Sequence, residues 1–191
     1  DMQTGEYEAT GIPAAILAHY LRESSVIPEK ADLNSILFLL TPAETLAKFQ
    51  HLVARIVSFE KHIRENSPVT QVLPTLAKAY PQYRKLTINE LCQLMHNFYA
   101  KHQLNKRQKQ MFEREHRPKV AISAFDAHNA FIRNEVELVS LHDIKGRIAM
   151  EGALPYPPGV YCIVPGEVLD GAVLDYFLAL QEGVNRLPGF E

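Results

Sequence analysis

The sequence predicts an α+β fold, and three features of the chain carry that prediction. Apolar residues recur at helical spacing in several stretches, which is typical of amphipathic helices. A continuous apolar run at 34–41, "NSILFLLT", has β-branched and aromatic members and the length of a strand buried on both faces. A second short run, "VYCIV" at 160–164, lies between proline and glycine residues and precedes another amphipathic stretch. Helices and strands therefore share a chain of 191 residues, which suits one domain or two small ones.

The first third of the chain is predicted to form a helix, two strands and a long helix. A proline in the first turn begins a helix over 12–24, and Pro28 keeps the segment 25–30 extended. The sequence "TPAE" at 41–44 has the pattern of a capping box. We expect it to start a helix that reaches about residue 66. The apolar stripe of that helix consists of Leu46, Phe49, Leu52, Val53, Ile56, Val57 and Ile63.

Turn-forming residues at 65–74, including two prolines, mark the best internal boundary. We therefore predict a first domain part at 1–66 and a second domain at 67–191. The second is expected to contain helices, then a strand at 160–164 and a final helix over 170–186. Its other predicted elements are a helix after the capping box Thr87-Ile88-Asn89-Glu90, helices at 105–115 and 123–135, and, as one alternative for an ambiguous stretch, a short strand around Glu137–Leu141.

Composition narrows the classes of partner. The chain is 47% hydrophobic and 22% charged, with a formal net charge of −2. Its one basic cluster, at 101–119, is diluted by two glutamates, whereas a nucleic-acid interface needs concentrated positive charge. No apolar stretch approaches the roughly 18–20 residues needed to cross a bilayer. We expect no nucleic-acid or membrane partner, and we expect Cys92 and Cys162 to be reduced core thiols of a cytoplasmic protein.

Motifs of a self-contained active site are missing from the sequence. The nine glycines form no dinucleotide or phosphate loop, and there is no nucleophile elbow. The eight histidines have no zinc-ligand spacing. We therefore predict no metal site, and we interpret the histidines as surface or packing residues.

Four residues remain as candidates for binding chemistry. Glu29 follows an isoleucine–proline pair in a stiff segment, and Glu151 and Glu167 flank the proline-rich stretch. Each carboxylate is either a solvated acid at a strand end or a group that holds a substrate ammonium by charge-assisted hydrogen bonds. Tyr156 lies between two pairs that contain proline, so it is either a packed aromatic residue or a phenol that lines a cleft.

Three segments resemble one known family. They are "GIPAAILAHYLRESSVIPEKADLNSILFLLTPAET" at 11–45, "IAMEGALPYPPGVYCIVPGE" at 148–167 and "GVNRLPGFE" at 183–191. Together they resemble the C-terminal portion of the bacterial ornithine/lysine/arginine decarboxylases that depend on pyridoxal phosphate. The sequence "IPEKADLNSILFLLTPAE" is most similar to that of the ornithine branch. Ser24-Ser25 departs from the family, whose members usually have a glycine in the turn before this segment.

The resemblance implies a fold, a cofactor and site residues. Residues 1–66 would belong to an α/β-like small domain of the aspartate-aminotransferase type, followed by a C-terminal domain with a helical insertion and a returning strand and helix. The cofactor lysine of the family follows a histidine, and this chain has no His-Lys pair. Pyridoxal 5'-phosphate would therefore be bound by an upstream domain of a longer, homo-oligomeric enzyme. By resemblance, Glu29 binds the basic amino-acid substrate and Tyr156 lines the cleft.

Two functional hypotheses follow. The first is that the chain is part of an ornithine decarboxylase, contributes substrate recognition and assembly, and is inactive alone. Within it, a lysine or arginine decarboxylase is the closest alternative. The second is a non-catalytic assembly module built around the helical middle of the chain.

Overall fold

The computed structural model describes residues 6–155, 159–183 and 187–189. Within these ranges it contains helices and one two-stranded antiparallel sheet, which confirms the α+β class. The described residues form two compact units. We call residues 7–101 and 187–189 the N-terminal unit, and Glu6 with the described part of 102–183 the C-terminal unit. No described helix has both the length and the apolar character needed to span a membrane.

The regular elements are as follows. They are α1 (Ala14–Glu23), β1 (Lys30–Ala31), β2 (Ile36–Leu37), α2 (Leu46–Glu65), α3 (Val69–Val72), α4 (Pro74–Ala79), α5 (Ile88–His102), α6 (Leu104–Gln110), α7 (Ala124–Ile132) and α8 (Gly171–Gly183). Short 3-10 turns lie at Pro81–Tyr83, Arg114–His116 and Leu141–Asp143. The predicted helices are thus present with shifted ends, and residues 184–186 of the predicted final helix lie outside the described part of the chain.

The sheet is smaller than the apolar run at 34–41 predicts. Lys30 pairs with Leu37 and Ala31 with Ile36, so each strand contributes two residues. The expectation of a strand buried on both faces is wrong for the described residues, because Leu37 and its neighbours at 39–40 are exposed. A strand is buried on both faces only where layers pack on each side of a broader sheet, and this hairpin has no such cover here.

Helix α2 begins later than its capping pattern predicts. The hydroxyl of Thr41 donates to Glu44 Oε1 at 3.4 Å, and the Glu44 N–H donates to the Thr41 carbonyl at 3.0 Å. These contacts close a turn ahead of the helix, which starts after Thr45. The helix ends at Glu65, close to the predicted end, and the next residue, Asn66, caps it with a left-handed φ of 51°. Whether a domain boundary follows at 66/67 stays a prediction.

The core of the N-terminal unit lies around α5. Its capping box forms as predicted: the backbone N–H and the hydroxyl of Thr87 donate to Glu90 Oε2 at 2.8 and 3.0 Å. Large, fully buried side chains of this unit include Ile16, Leu21, Val69, Leu73, Ile88, Leu91, Met95 and Tyr99. Apolar burial of this kind is the main source of stability in a small unit.

The core of the C-terminal unit lies between α6 and α8, which pack against each other. The buried side chains of this pair include Leu104, Val173, Leu174, Tyr176 and Ala179. Helix α7 is capped as its sequence predicts, because the Asp126 N–H donates to Ser123 Oγ at 3.1 Å.

The prediction of a strand at 160–164 is wrong for the described residues. Residues 160–164 pair with the rest of the described chain through one isolated bridge, Ala153–Ile163, and form no regular strand. The chain leaves the extended pairing at Pro165, which has no N–H, and at Gly166, whose φ is 93°. The alternative of a strand around Glu137–Leu141 is also not realised, since a 3-10 turn begins at its end.

Candidate functional site

Glu29 lies at the entrance to the hairpin of the N-terminal unit. Its backbone N–H donates to the Leu37 carbonyl at 3.0 Å, directly before the paired residues of β1. The preceding Pro28 is buried, and the Glu29 side chain is exposed. The backbone of Glu29 is therefore fixed on both sides while its carboxylate faces solvent, which is the arrangement needed to meet a cation from outside the chain.

The turn before Glu29 is made by the two serines that depart from the family pattern. The N–H groups of Ser25 and Val26 donate to the carbonyls of Arg22 and Leu21 at 3.0 and 2.9 Å. Ser25 has a φ of 60°, which is the conformation that glycine adopts without strain. The turn thus keeps a glycine-like backbone without glycine, and these backbone contacts hold it.

A groove of about 520 Å³ lies beside the hairpin. Its walls are residues 25–27, residues 38–40 and the first turns of α2. An ion pair between Lys48 and Glu44, 3.0 Å apart, is among the charged groups on its lining. Glu29 is not one of the lining residues, so the groove and the predicted carboxylate are separate features.

Tyr156, the second predicted site residue, lies outside the described residues. Of its surroundings, Pro155 is buried, and its carbonyl accepts a hydrogen bond from the Gly159 N–H at 2.8 Å. The φ of Gly159 is 75°, which suits a glycine in a tight turn. The structure therefore does not test the role of Tyr156, and the roles of both Tyr156 and Glu29 stay predictions.

The two flanking carboxylates differ in their contacts. Glu151 is exposed. Glu167 accepts a hydrogen bond from the Val164 N–H at 2.9 Å and so closes the turn that ends the proline-rich stretch. This contact favours the local, structural interpretation of Glu167.

His96 is a packing histidine, as the sequence analysis expects. Its Nε2 lies 2.6 Å from the Glu8 carbonyl oxygen, and Tyr7 meets the ring edge-on at 5.5 Å between centroids. Gly11 lies so close that a Cβ there would be 2.8 Å from His96 Nδ1. The imidazole therefore holds the segment 7–11 against α5.

A second histidine takes part in a cluster that the sequence does not reveal. His102 Nε2 lies 3.1 Å from Glu182 Oε2 in the C-terminal unit. Arg107 and His142 line the same cavity of about 480 Å³, and Arg107 donates to the Asp175 carbonyl at 2.7 Å. These residues come from three separate segments, so no local motif could have signalled them. Among the described residues there is no cluster of three or more metal-ligating side chains.

The described lysines do not fit a covalent cofactor site. Nine of the ten are exposed, and Lys30 is half-buried in the hairpin. A lysine that forms an imine needs an enclosed site in which its ammonium is desolvated. The described part of this chain has no such lysine.

Both cysteines are buried, as predicted. Burial raises the pKa of the Cys92 thiol to about 12. It also raises the pKa of Cys162 to about 11, and the Cys162 thiol donates to the Ala153 carbonyl at 3.4 Å. Since the thiolate is the reactive form, neither group suits nucleophilic chemistry.

Comparison with known proteins matches both parts of the chain to one family. The model "Orn/Lys/Arg decarboxylase, major domain" matches residues 1–48, and "Orn/Lys/Arg decarboxylase, C-terminal domain" matches residues 105–191. The inducible ornithine decarboxylase of Escherichia coli is 57% identical over the whole chain and the biodegradative arginine decarboxylase of the same organism is 32% identical over 99% of it.

A solved structure agrees with this assignment. The constitutive lysine decarboxylase of Escherichia coli superposes with a TM-score of 0.88 and 32% identity, over 96% of this chain and 26% of its own. The chain spans about a quarter of the length of the relatives it matches, 26% for the inducible ornithine decarboxylase. With both of its matched segments assigned to these enzymes, the chain belongs to the Orn/Lys/Arg decarboxylase family.

Proposed function

We propose that this chain is the C-terminal quarter of an ornithine decarboxylase, which converts L-ornithine to putrescine and CO2. The observation that carries this proposal is the difference in identity along the same 191 residues. It is 57% to the inducible ornithine decarboxylase but 32% to the arginine and constitutive lysine decarboxylases of the same organism. A relative that shares the substrate is expected to share more of the residues around it.

Pyridoxal phosphate is the cofactor we propose for the intact enzyme, where it supplies the electron sink for loss of the carboxylate. The exposed lysines described above support a site in the upstream domain. We place residues 1–66 in a small domain of the aminotransferase type, and we expect a cytoplasmic homo-oligomer.

We assign Glu29 to the far end of the substrate. Ornithine carries a side-chain ammonium, and an ionised carboxylate on a fixed backbone can hold it by a charge-assisted hydrogen bond. The Glu29 N–H bond to Leu37 supports this role, because it fixes the backbone from which the carboxylate projects. We assign Tyr156 to the wall of the same cleft, by its place in the family's proline-rich segment.

Glu29→Gln in the full-length enzyme tests this assignment. We expect kcat/KM for ornithine to fall at least about tenfold, since a hydrogen bond to a charged group contributes about 1.5–3 kcal/mol. Glu115→Gln, at another exposed carboxylate, is the matched control and should leave kcat/KM unchanged. Unchanged kinetics in both variants would remove Glu29 from the site.

The substrate itself is tested by offering ornithine, lysine and arginine in turn to the full-length enzyme. Putrescine should be the main product. A preference for lysine or arginine would refute the ornithine assignment. If no diamine forms and no pyridoxal lysine motif lies upstream, the assembly module becomes the better hypothesis.

A further inference from the structure

The N-terminal unit exposes nine large apolar side chains on the hairpin, on the residues beside it and on α2. We call this set the apolar face. It consists of Ile27, Leu37, Leu39, Leu40, Leu46, Phe49, Val53, Ile56 and Val57. Its exposure is substantial, for example 66% for Leu39 and 59% for Val53. Isolated surface apolar residues are normal, but nine within 31 residues of sequence mark an interaction surface.

Helix α2 is amphipathic, with charged residues on one side and an apolar stripe on another. Its charged side chains form i,i+4 pairs, Arg64 with Glu60 at 2.6 Å and Lys61 with Glu65 at 3.7 Å. The apolar stripe has the spacing of a core-facing helix. Yet Phe59, which contacts Tyr20 of α1 at 5.0 Å between ring centroids, is the buried residue of this 20-residue helix. Within the described residues most of the stripe is therefore exposed, and its members Leu52 and Ile63 are half-buried.

The hairpin also has the form of an incomplete element. A sheet of two strands with two residues each is marginally stable alone, and independent sheets need three or more strands or packing against a helix. The apolar run continues past β2 through residues 38–40, which line the groove beside α2. Further strands or a packed layer would bury both features at once.

The family matches indicate what covers this face. The major-domain match covers residues 1–48, and it precedes the match to the C-terminal domain along the chain. Relatives are about four times as long as this chain, so most of a major domain precedes it in such enzymes. Five of the nine apolar-face residues fall within the matched segment. A domain core is continuous, so a piece of it exposes apolar side chains where the rest of the core would pack.

We propose that the apolar face is an interior surface that is covered, in the intact enzyme, by the portion of the decarboxylase which precedes this chain. The inference rests on the proposed function only in requiring a longer decarboxylase. The covering portion is expected to be apolar and to add strands beside the hairpin. A second copy of the same face is the competing occupant.

Thiol accessibility in the full-length enzyme tests the proposal without measuring activity. Leu39→Cys and Val53→Cys place thiols on the face, and Leu138→Cys is the control at a fully exposed apolar residue. We expect a maleimide to label the two face thiols at least about a hundredfold more slowly than Leu138→Cys, because labelling then requires local opening. Equal rates would overturn the proposal.

Photo-crosslinking identifies the occupant and guards against a cysteine variant that misfolds. Phe49→p-benzoylphenylalanine keeps an aromatic ring at a face residue that also lines the groove beside the hairpin. In a mixture of isotopically light and heavy full-length enzyme, we expect links from this position to peptides that precede the chain. Links that join the apolar faces of a light and a heavy copy would overturn the proposal. If the face thiols are labelled slowly but the enzyme decarboxylates a substrate other than ornithine, the proposed function is refuted and this inference still stands.

Discussion

Helices α2 and α5 belong to the same unit and are both amphipathic. The apolar side of α5 is buried, whereas that of α2 is mostly exposed. Each carries apolar residues at helical spacing and charged residues elsewhere. In α5, Ile88, Leu91 and Met95 are fully buried. In α2, Phe49, Val53 and others of the stripe are exposed.

The difference lies in which segments surround each helix. The unit contains other buried residues on α1, α3 and α4, and α5 is tied to the segment before α3 by the Ile88 N–H, which donates to the Ser67 carbonyl at 2.9 Å. Helix α2 contacts α1, where Phe59 meets Tyr20. The stripe residues Phe49, Val53, Ile56 and Val57 remain exposed. Periodicity thus specifies which face of a helix is to be buried, whereas the partner that buries it can lie in another part of the enzyme.

Thiol chemistry gives the largest expected contrast between the two helices. Because burial raises the pKa of Cys92 in α5 to about 12, its thiolate fraction at pH 8 is about a thousandfold lower than that of an unfolded thiol. We expect alkylation of Cys92 in the folded chain to be slower by at least that factor than in urea. A thiol introduced on α2 by Val53→Cys in the same 191-residue chain should react like an exposed one.

The pH dependence has a definite sign. As pH rises from about 9 towards 12, the folded thiol of Cys92 begins to ionise and the ratio of the two rates should narrow. Rapid alkylation of Cys92 in the folded chain at pH 8 would contradict the closed packing of α5.

Truncation of core side chains gives the next contrast. Leu91→Ala in α5 should lower the free energy of unfolding by about 2–5 kcal/mol, because it opens a cavity among fully buried neighbours. Val53→Ala in α2 should change the stability of the 191-residue chain by less than about 0.5 kcal/mol. Urea unfolding measures both values. In the full-length enzyme the Val53→Ala loss should grow, and equal losses for the two variants in the 191-residue chain would refute the comparison.

The sequence predicts local elements better than it predicts their burial. Helix positions followed from spacing, and the caps at Thr87 and Ser123 form as their sequences indicate. The sequence predicts longer strands at 34–41 and 160–164 than the structure contains. Strand pairing depends on segments that are distant in sequence or absent from this chain. The His102–Glu182 contact could not be predicted either, because the two residues are distant in sequence. Glu29 and Tyr156 came from family resemblance, and local physics alone had left their roles open.

The smallest predicted effect on stability comes from two sequences that have the same capping pattern, one before α5 and one before α2. Thr87 and Glu90 form a reciprocal box at the start of α5: the Thr87 N–H and hydroxyl donate to Glu90 Oε2 at 2.8 and 3.0 Å, and the Glu90 N–H donates to Thr87 Oγ1 at 3.4 Å. These bonds from Thr87 lower the pKa of the Glu90 carboxyl, so their contribution is present above its ordinary value near 4.5 and is lost as pH falls through the lowered one. Thr41 and Glu44 form only a turn before α2.

Thr87→Ala should therefore destabilise the chain by about 1 kcal/mol at pH 7, the usual loss for an N-terminal cap. Thr41→Ala removes a weak exposed contact of 3.4 Å and should cost little measurable stability. Urea unfolding at pH 7 and at a series of lower pH values separates the two, since the Thr87→Ala loss should shrink as pH falls through the lowered pKa of Glu90. Equal losses at pH 7 would mean that the turn at 41–44 caps α2 after all, and that the late start of this helix does not persist in solution.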